Sequence, residues 1–395
     1  MTTIYWYAPF DNAGELSLAT ATAALIEQGS LTVQSCWSRF GVPLSTEAPG
    51  SFDLVRDLPE PAGEGGGRRG FLDRGRVARE RATLRKRLLQ SRRFDLIHLH
   101  TYNPFTDWYA IPAIAKQTPF VVQSVHNVRP HERILPAPLE TMLLRRGYQA
   151  CTRLLVAHEH LRDQLVREFD VARERVRVVP LPVLRDAFAP PEHLRTDPVD
   201  RGDRLSLLFF GTLRPNKGID VLLQAIERTK GKLDVRFVFA GRGDPALEEL
   251  IRRSAATDER IHAEIGFVSN ERRSVLWHEA DVVVMPYVEF NAQSGVLQDA
   301  YATSTPVIVS DVGALGAAVK ADHTGWVVKP GDVADLVRVL THVVGAEAER
   351  DAAGAKAHDI ADAQAPSAIA ELYAELYDEL LAHAPVPMRA SRPSA

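Results

Sequence analysis

Cysteine is nearly absent from this chain of 395 residues: Cys36 and Cys151 are all it has. Two cysteines build neither a disulfide framework nor a dedicated zinc cage, and they suit a reducing, cytoplasmic setting. No stretch approaches the ~18 consecutive apolar residues of a membrane-spanning helix. The opening MTTIYWYAPFDNAGELSLA has no basic lead and no long apolar run, so it does not read as a signal peptide. Charge of one sign is not in excess either. The formal net charge is −4, which argues against a nucleic-acid binder on charge grounds. No fixed-period repeat marks a solenoid or propeller.

What is there is ordinary globular composition, 45% hydrophobic and 25% charged. At roughly 100–200 residues per domain, the length suggests two domains. The pattern is strand, turn, helix, repeated. In the first half, Ile4 to Ala8, Leu31 to Ser35, Asp95 to His100, Phe120 to Ser124, Arg153 to Ala157 and Arg175 to Val179 read as strands. Residues 16–28, 76–92, 106–116, 138–150 and 159–168 read as helices, and 41–75, rich in Pro, Gly and charge, as an irregular loop. Pro190, Pro191 and Pro198, with Pro182 just before them, mark a linker over 186–204. In the second half, Leu205 to Phe210, Arg236 to Ala240, Val282 to Met285 and Val307 to Val309 are almost wholly apolar, as strands covered on both faces are. Helical patterns at 219–229, 245–255, 270–279 and 294–303 alternate with them, followed by Trp326 to Val328 and a helix over 332–344. Strands alternating with helices predict two parallel, doubly wound α/β sheets. Residues 1–185 and 205–365 are the expected domains. An amphipathic helix over 366–384 is expected to cross back to the first, before a disordered tail at 385–395.

Doubly wound sheets bind ligands at the C-terminal ends of their strands. One such loop is Gly211-Thr212-Leu213-Arg214-Pro215-Asn216-Lys217-Gly218, running from an apolar strand into a helix. Glycine lets backbone approach a ligand, Arg grips phosphate through two hydrogen bonds, Lys adds a point charge, and a helix start favours an anion. The loop reads as a diphosphate clamp or as a solvated turn. A second loop, Pro286 to Ser294, ends in the N-cap Ser294, after which Gly295, Val296 and Leu297 offer free backbone N–H groups. Asp299 lies one turn in, within reach of ribose hydroxyls; Asp299 and the loop acid Glu289 also read as a dipole complement and a solvated acid. The apolar loop Gly266-Phe267-Val268 is a candidate nucleobase contact.

These segments together resemble the donor domain of the family 4 retaining glycosyltransferases, which have the GT-B fold. The resemblance covers about residues 205–345 through FFGTLRPNKGIDVLLQAI, IGFVSNERRSVLWHEADVVVMPY, QSGVLQDAYATSTPVIVSDVGAL and TGWVVKPGD. It implies two Rossmann-like domains facing across a cleft and transfer of a hexose, with retention, from a UDP- or GDP-linked sugar to a glycan, glycolipid or small-molecule acceptor. No other cofactor and no metal are implied. Arg214 and Lys217 take the donor diphosphate, with the helix-start groups of Gly295, Val296 and Leu297, and Asp299 takes the ribose. Where the family has a glutamate toward the donor sugar this chain has Asn291, and an acid common after the next strand is replaced at Gly316-Ala317. Glu289 is the nearest acid to Asn291. By the same resemblance, Gly14 belongs to a loop near the diphosphate, and His126 borders the reacting sugar. Asn12, His100 and His158 are the acceptor-side candidates.

Residues 68–93 carry eleven Arg or Lys against Asp73 and Glu80. With Leu84, Leu88 and Leu89 they form a basic amphipathic helix, suited to an anionic membrane surface or simply to solvent. Nucleic acid is disfavoured by the scarcity of aromatic residues there, where Phe71 stands alone. Two rivals remain: a nucleotide-sugar-binding protein without transfer activity, and a Rossmann oxidoreductase. The second needs Gly-x-Gly-x-x-Gly, and Gly241-Arg242-Gly243 is followed by Ala246 in the third place.

Overall fold

The computed structural model describes residues 2–8, 31–38, 53–58, 94–100, 110–116, 118–129, 136–188, 204–290 and 294–382. Asn12, Gly14, Asn291, most of the linker, the basic segment 68–93 and the tail 385–395 lie outside them.

Thirteen described strands form two sheets whose neighbours all pair in parallel. The first holds β1 (Thr2–Ala8), β2 (Leu31–Ser38), β3 (Asp53–Leu58), β4 (Leu96–Leu99), β5 (Phe120–Ser124), β6 (Arg153–Val156) and β7 (Val176–Val178), in the order β3-β2-β1-β4-β5-β6-β7. The second holds β8 (Leu205–Phe210), β9 (Val235–Gly241), β10 (Ile261–Ile265), β11 (Val282–Met285), β12 (Val307–Ser310) and β13 (Gly325–Val328), in the order β10-β9-β8-β11-β12-β13. In each sheet the strand order reverses once, next to its first strand. At such a switch point the loops diverge to opposite faces and leave a crevice. In the second sheet the crevice lies between the ends of β8 and β11.

Between the strands run α1 (Ala110–Ile114), α2 (Ala137–Ala150), α3 (Glu159–Phe169), α4 (Ile219–Arg228), α5 (Pro245–Thr257), α6 (Asn270–Glu279), α7 (Gly295–Ala302), α8 (Gly313–Asp322), α9 (Val333–Gly345), α10 (Glu347–Ala363) and α11 (Pro366–Ala382). Caps fix several starts. Asp244 accepts from the Ala246 and Leu247 amides, Ser269 from Arg272, and Asp332 from Asp335, each satisfying a donor that a helix leaves unpaired. Strands β11 and β12 are buried along their whole length, as their apolar runs require.

Residues 53–58, α8 and α10 depart from the sequence reading. Residues 53–58, read as part of an irregular loop, form β3 on β2 at the sheet's edge. Its DLVRDL pattern carries charge, which an edge strand tolerates and which hid it among loop residues. Helix α10 gives no sequence signal because its core face is only Ala353, Ala357 and Ala361, too small to register as a hydrophobic stripe.

The final helix α11 lies on the first sheet. Ile369, Tyr373, Leu376 and Leu380 recur at helical spacing and pack with Ile4, Leu96, Phe120, Val122 and Leu155. Burying such side chains stabilises by about 1.5–3 kcal/mol each. Glu379 pairs with Arg153 and Arg177 at 3.2 Å, and Glu375 with Arg177 at 3.4 Å. The chain leaves the first sheet beside the place where it returns: the Val183 amide donates to the Gln364 carbonyl at 2.8 Å.

Candidate functional site

The loop after β8 is shaped by close backbone approaches. Gly211 has φ +124°, and its carbonyl packs so closely on Gly241 that a Cβ there would lie 1.9 Å away. The Leu213 amide donates to the Arg242 carbonyl at 2.9 Å, and the Asp244 amide to the Leu213 carbonyl at 2.8 Å. With Leu213 wholly buried, the turn rests on the neighbouring strand-end loop. Pro215–Lys217 forms a single 3-10 turn, and Gly218, at φ +65°, turns the chain into α4.

The loop after β11 is bolted to it. The Val288 amide donates to the Asn216 carbonyl at 3.0 Å, and the Asn216 side-chain amide to the Glu289 carbonyl at 3.1 Å. Lys217 Nζ lies 3.6 Å from the centre of the Tyr287 ring and 4.8 Å from that of Phe290. Both rings are buried. Ser294 caps α7, its hydroxyl accepting from the Leu297 amide at 3.3 Å. A Cβ on Gly211 would sit 3.7 Å from Val296 Cγ2, so the first loop faces the beginning of α7. There the amides of Gly295 and Val296 point beyond the reach of intrahelical acceptors.

Arg214, Lys217 and the start of α7 thus gather at the switch point. Arg214 is exposed, and neither cation has an ion pair or hydrogen bond to a described residue. Burial, and then the repulsion of Arg214, push the Lys217 ammonium down to about 8. Two cations without carboxylate partners among the described residues, near a helix start and on a partly desolvated floor, are suited to an anion.

The other expected residues fall into two groups. Phe267 and Val268 leave the end of β10, hydrogen-bonded to the same edge through the Gly266 amide and the Gly241 carbonyl at 2.9 Å. Phe267 is 80% exposed with the Arg242 guanidinium 5.9 Å from its ring, a free aromatic face on the rim. Glu289 is exposed, its side chain unpaired with any described residue. Asp299 is half-buried. It is paired with Arg273 at 2.5 Å, and its pKa is raised because burial outweighs that pairing.

His100, His126 and His158 belong to the first sheet. His126 Nε2–H donates to the His100 carbonyl at 2.8 Å, which leaves Nδ1 as the accepting nitrogen of the neutral ring. His100 is 1% exposed and stacks on His98 at 4.1 Å, with Tyr373 of α11 edge-on, so its ring belongs to the core. Burial lowers the pKa of both His98 and His100. His158 precedes α3, its pKa lowered by burial against the opposing field of Asp322 on α8. Sequence reasoning missed Tyr287 and Phe290, which underlie Lys217, and Arg273, which holds Asp299. The aromatic pair was visible in the loop; Arg273 was one arginine in a helix and gave no signal.

Among the described residues no cluster of His, Cys, Asp and Glu is arranged to hold a metal, and no helix is long and apolar enough to cross a membrane.

Residues 204–345 match the family model described as Glycosyl transferases group 1, and residues 48–185 that described as Glycosyltransferase Family 4. The D-inositol 3-phosphate glycosyltransferase of Streptosporangium roseum is 30% identical over 323 residues, 74% of this chain and 72% of that relative. The protein of the same name from Streptomyces avermitilis is 28% identical over 270 residues, 62% of this chain, and the chain spans 57% of that relative's length. Among solved structures, HepE of Anabaena in complex with UDP superposes with a TM-score of 0.67 at 12% identity, over 96% of this chain and 100% of that one. At that identity the likeness shows the fold, which is GT-B.

Proposed function

Since the chain belongs to the family 4, group 1 glycosyltransferases, we propose that it moves a hexose from a nucleoside diphosphate sugar to an acceptor, with retention of configuration. The observation that carries this is the pair Arg214 and Lys217, without carboxylate partners among the described residues, at the start of α7. In this reading residues 205–365 hold the donor and residues 1–185 the acceptor. The relatives' name, and the UDP in the related HepE complex, support a sugar donor of this class.

The chemistry follows from charge. As the glycosidic bond breaks, the leaving diphosphate gains negative charge. Arg214, Lys217 and the Gly295 and Val296 amides oppose that charge where it develops, already oriented and partly shielded from water. Phosphate between the two cations relieves their mutual repulsion and raises the Lys217 pKa again, so binding and protonation reinforce each other. Two cations and a helix start suffice for this, so the proposal calls on no metal and no further cofactor. The phosphate oxygen that departs takes the acceptor proton. Phe267 offers a face for the base, Asp299 an acceptor for ribose hydroxyls, and His126 and Glu289 polar contacts for the sugar. The acceptor side is assigned to Asn12 and His158, with Gly14 in the loop near the donor diphosphate. His100, a core side chain, shapes it through its carbonyl bond to His126. The basic segment 68–93 would bring a cytoplasmic enzyme to an anionic membrane surface and to a lipid-linked acceptor.

A second reading, nucleotide-sugar binding without transfer, is favoured by Gly316. The acid that the family resemblance leads one to expect at Gly316-Ala317 is absent, and a Cβ on Gly316 would lie 2.3 Å from Asp311 Oδ1, so a side chain there would have to displace Asp311. Product formation from a panel of UDP- and GDP-sugars with sugar and lipid acceptors separates the two. Turnover supports transfer. Nucleotide-sugar binding with neither transfer nor donor hydrolysis supports the second reading.

A further inference from the structure

One charged side chain beside α7 has no part in the reading above. Arg273, on α6, places Nη2 2.5 Å from Asp299 Oδ1. Its guanidinium carbon lies 4.3 Å from the centre of the Phe188 ring. Phe188 belongs to the segment that joins the two sheets, and its carbonyl accepts the Ser274 hydroxyl at 2.7 Å. The same ring meets Trp277 edge-on at 5.8 Å, and Trp277 meets Phe210 at 5.7 Å. Phe210 ends β8, immediately before Gly211. A guanidinium held on an aromatic face by one side and a carboxylate by the other has little freedom to swing.

Among the described residues, Arg273 is the one cation paired with Asp299. Its Oδ2 has no hydrogen bond or ion pair to a described residue. Arg272, next along α6, is taken by Glu264 and Glu279. Among the described residues, Tyr287, from the loop after β11, is the other titratable group coupled to Asp299. From α10, which packs along α7, come the buried Ala353 and Ala357, while His358 is bonded to Ser304. Asp299 is thus held by one oxygen and open at the other.

We propose that Arg273 is a positioning residue of the donor site, holding one oxygen of Asp299 so that the ionised carboxylate presents the other to the vicinal hydroxyls of a ribose. This rests on the donor reading of α7. The physical need is clear from the surroundings. Burial favours the protonated acid, and Arg273 opposes it. Protonation would turn one acceptor oxygen into a donor and spoil the match to a diol.

The test is calorimetric titration of UDP and GDP, each beside its 2′-deoxy counterpart, into wild type, Arg273→Met and Arg273→Lys, from about pH 5.5 to about pH 8.5. Arg273→Met is expected to lose about tenfold in affinity for the ribonucleotide near neutral pH, the low end for a hydrogen bond to a charged group. The loss grows as pH falls and is small for the deoxynucleotide, and Arg273→Lys restores most of it. A loss equal for both nucleotides and flat with pH would mean a purely structural role and overturn the proposal, as would no loss. If circular dichroism shows that Arg273→Met does not fold, Asp299→Asn decides: it must lose the preference for ribose over deoxyribose, and a preserved preference overturns the proposal. Wild-type protein that binds none of these nucleotides would instead defeat the donor reading itself, and this proposal with it.

Discussion

The ammonium of Lys217 rests 3.6 Å from the centre of the buried Tyr287 ring, so the loop after β8 and the loop after β11 meet through a cation on an aromatic floor. The floor removes water from one side of the charge. With Arg214 nearby, this holds the Lys217 pKa down to about 8, below its ordinary 10.5. A bound diphosphate favours the charged form and raises that pKa. Binding therefore takes up a proton between the two values, is full below about pH 8, and weakens as pH rises through it. Calorimetry in buffers from about pH 7 to about pH 10 should show nucleoside diphosphate affinity falling by up to about tenfold per unit above pH 8. Lys217→Arg, which stays charged throughout, should flatten the profile.

Gly218 ties the same two loops through backbone. It has φ +65°, and a Cβ there would lie 1.9 Å from the Pro286 carbonyl oxygen. Gly231 has a similar φ of +70° with nothing within 4 Å of its would-be Cβ. Gly231→Ala should therefore cost only the strain of a left-handed residue, about 1 kcal/mol. Gly218→Ala should cost more, upward of about 2 kcal/mol, and should weaken nucleotide binding as the loops part. Denaturant midpoints of the two variants check the difference.

The second sheet was legible in its apolar strands but not at its edge strand β10, and the reason is burial. Strands β8 and β11 have the ends their apolar runs suggested, because a strand covered on both faces must be apolar throughout. Helix α8 was not legible: Gly313-Ala-Leu-Gly-Ala-Ala offers little side chain to pattern, and Gly316 is demanded by Asp311 rather than by helix propensity. At the site, Arg214, Lys217 and Ser294 could be found because each sits in a strand-end loop, where few residues are needed for packing. The arrangement around Asp299 could not, since the pairing with Arg273 is made between two helices and depends on how they are docked. The same holds for His100, whose alternation with His98 on a strand end says nothing of the α11 tyrosines that cover both.

Those histidines set a pH limit on stability. His98 shares hydrogen bonds with the Tyr377 hydroxyl of α11 at 2.5 Å and with Ser124 Oγ at 2.9 Å. Burial lowers its pKa to about 3, while the unfolded value is about 6.5. The unfolded chain therefore binds the extra proton between these values. Stability is full above about pH 6.5 and falls as pH drops toward 3, by up to about 1.4 kcal/mol per unit from this residue. His100 acts in the same direction. Thermal melts from about pH 7 to about pH 5 should show the decline, with a shallower slope in His98→Gln.

Tyr377→Phe removes the hydroxyl and leaves a buried ring nitrogen short of that partner. It should cost about 1–3 kcal/mol and loosen α11 from the first sheet. Hydrogen exchange over residues 366–382 reads this directly, with the second sheet unaffected.

In the proposed function Arg214 and Lys217 grip a diphosphate at the start of α7. The most direct measurement is calorimetric titration of UDP and GDP into Arg214→Ala and Lys217→Ala beside the wild-type protein. Each substitution should weaken binding by about 1.5–3 kcal/mol, the range for hydrogen bonds to charged groups, with little change in folding stability. Affinity left unchanged by both substitutions would contradict the account.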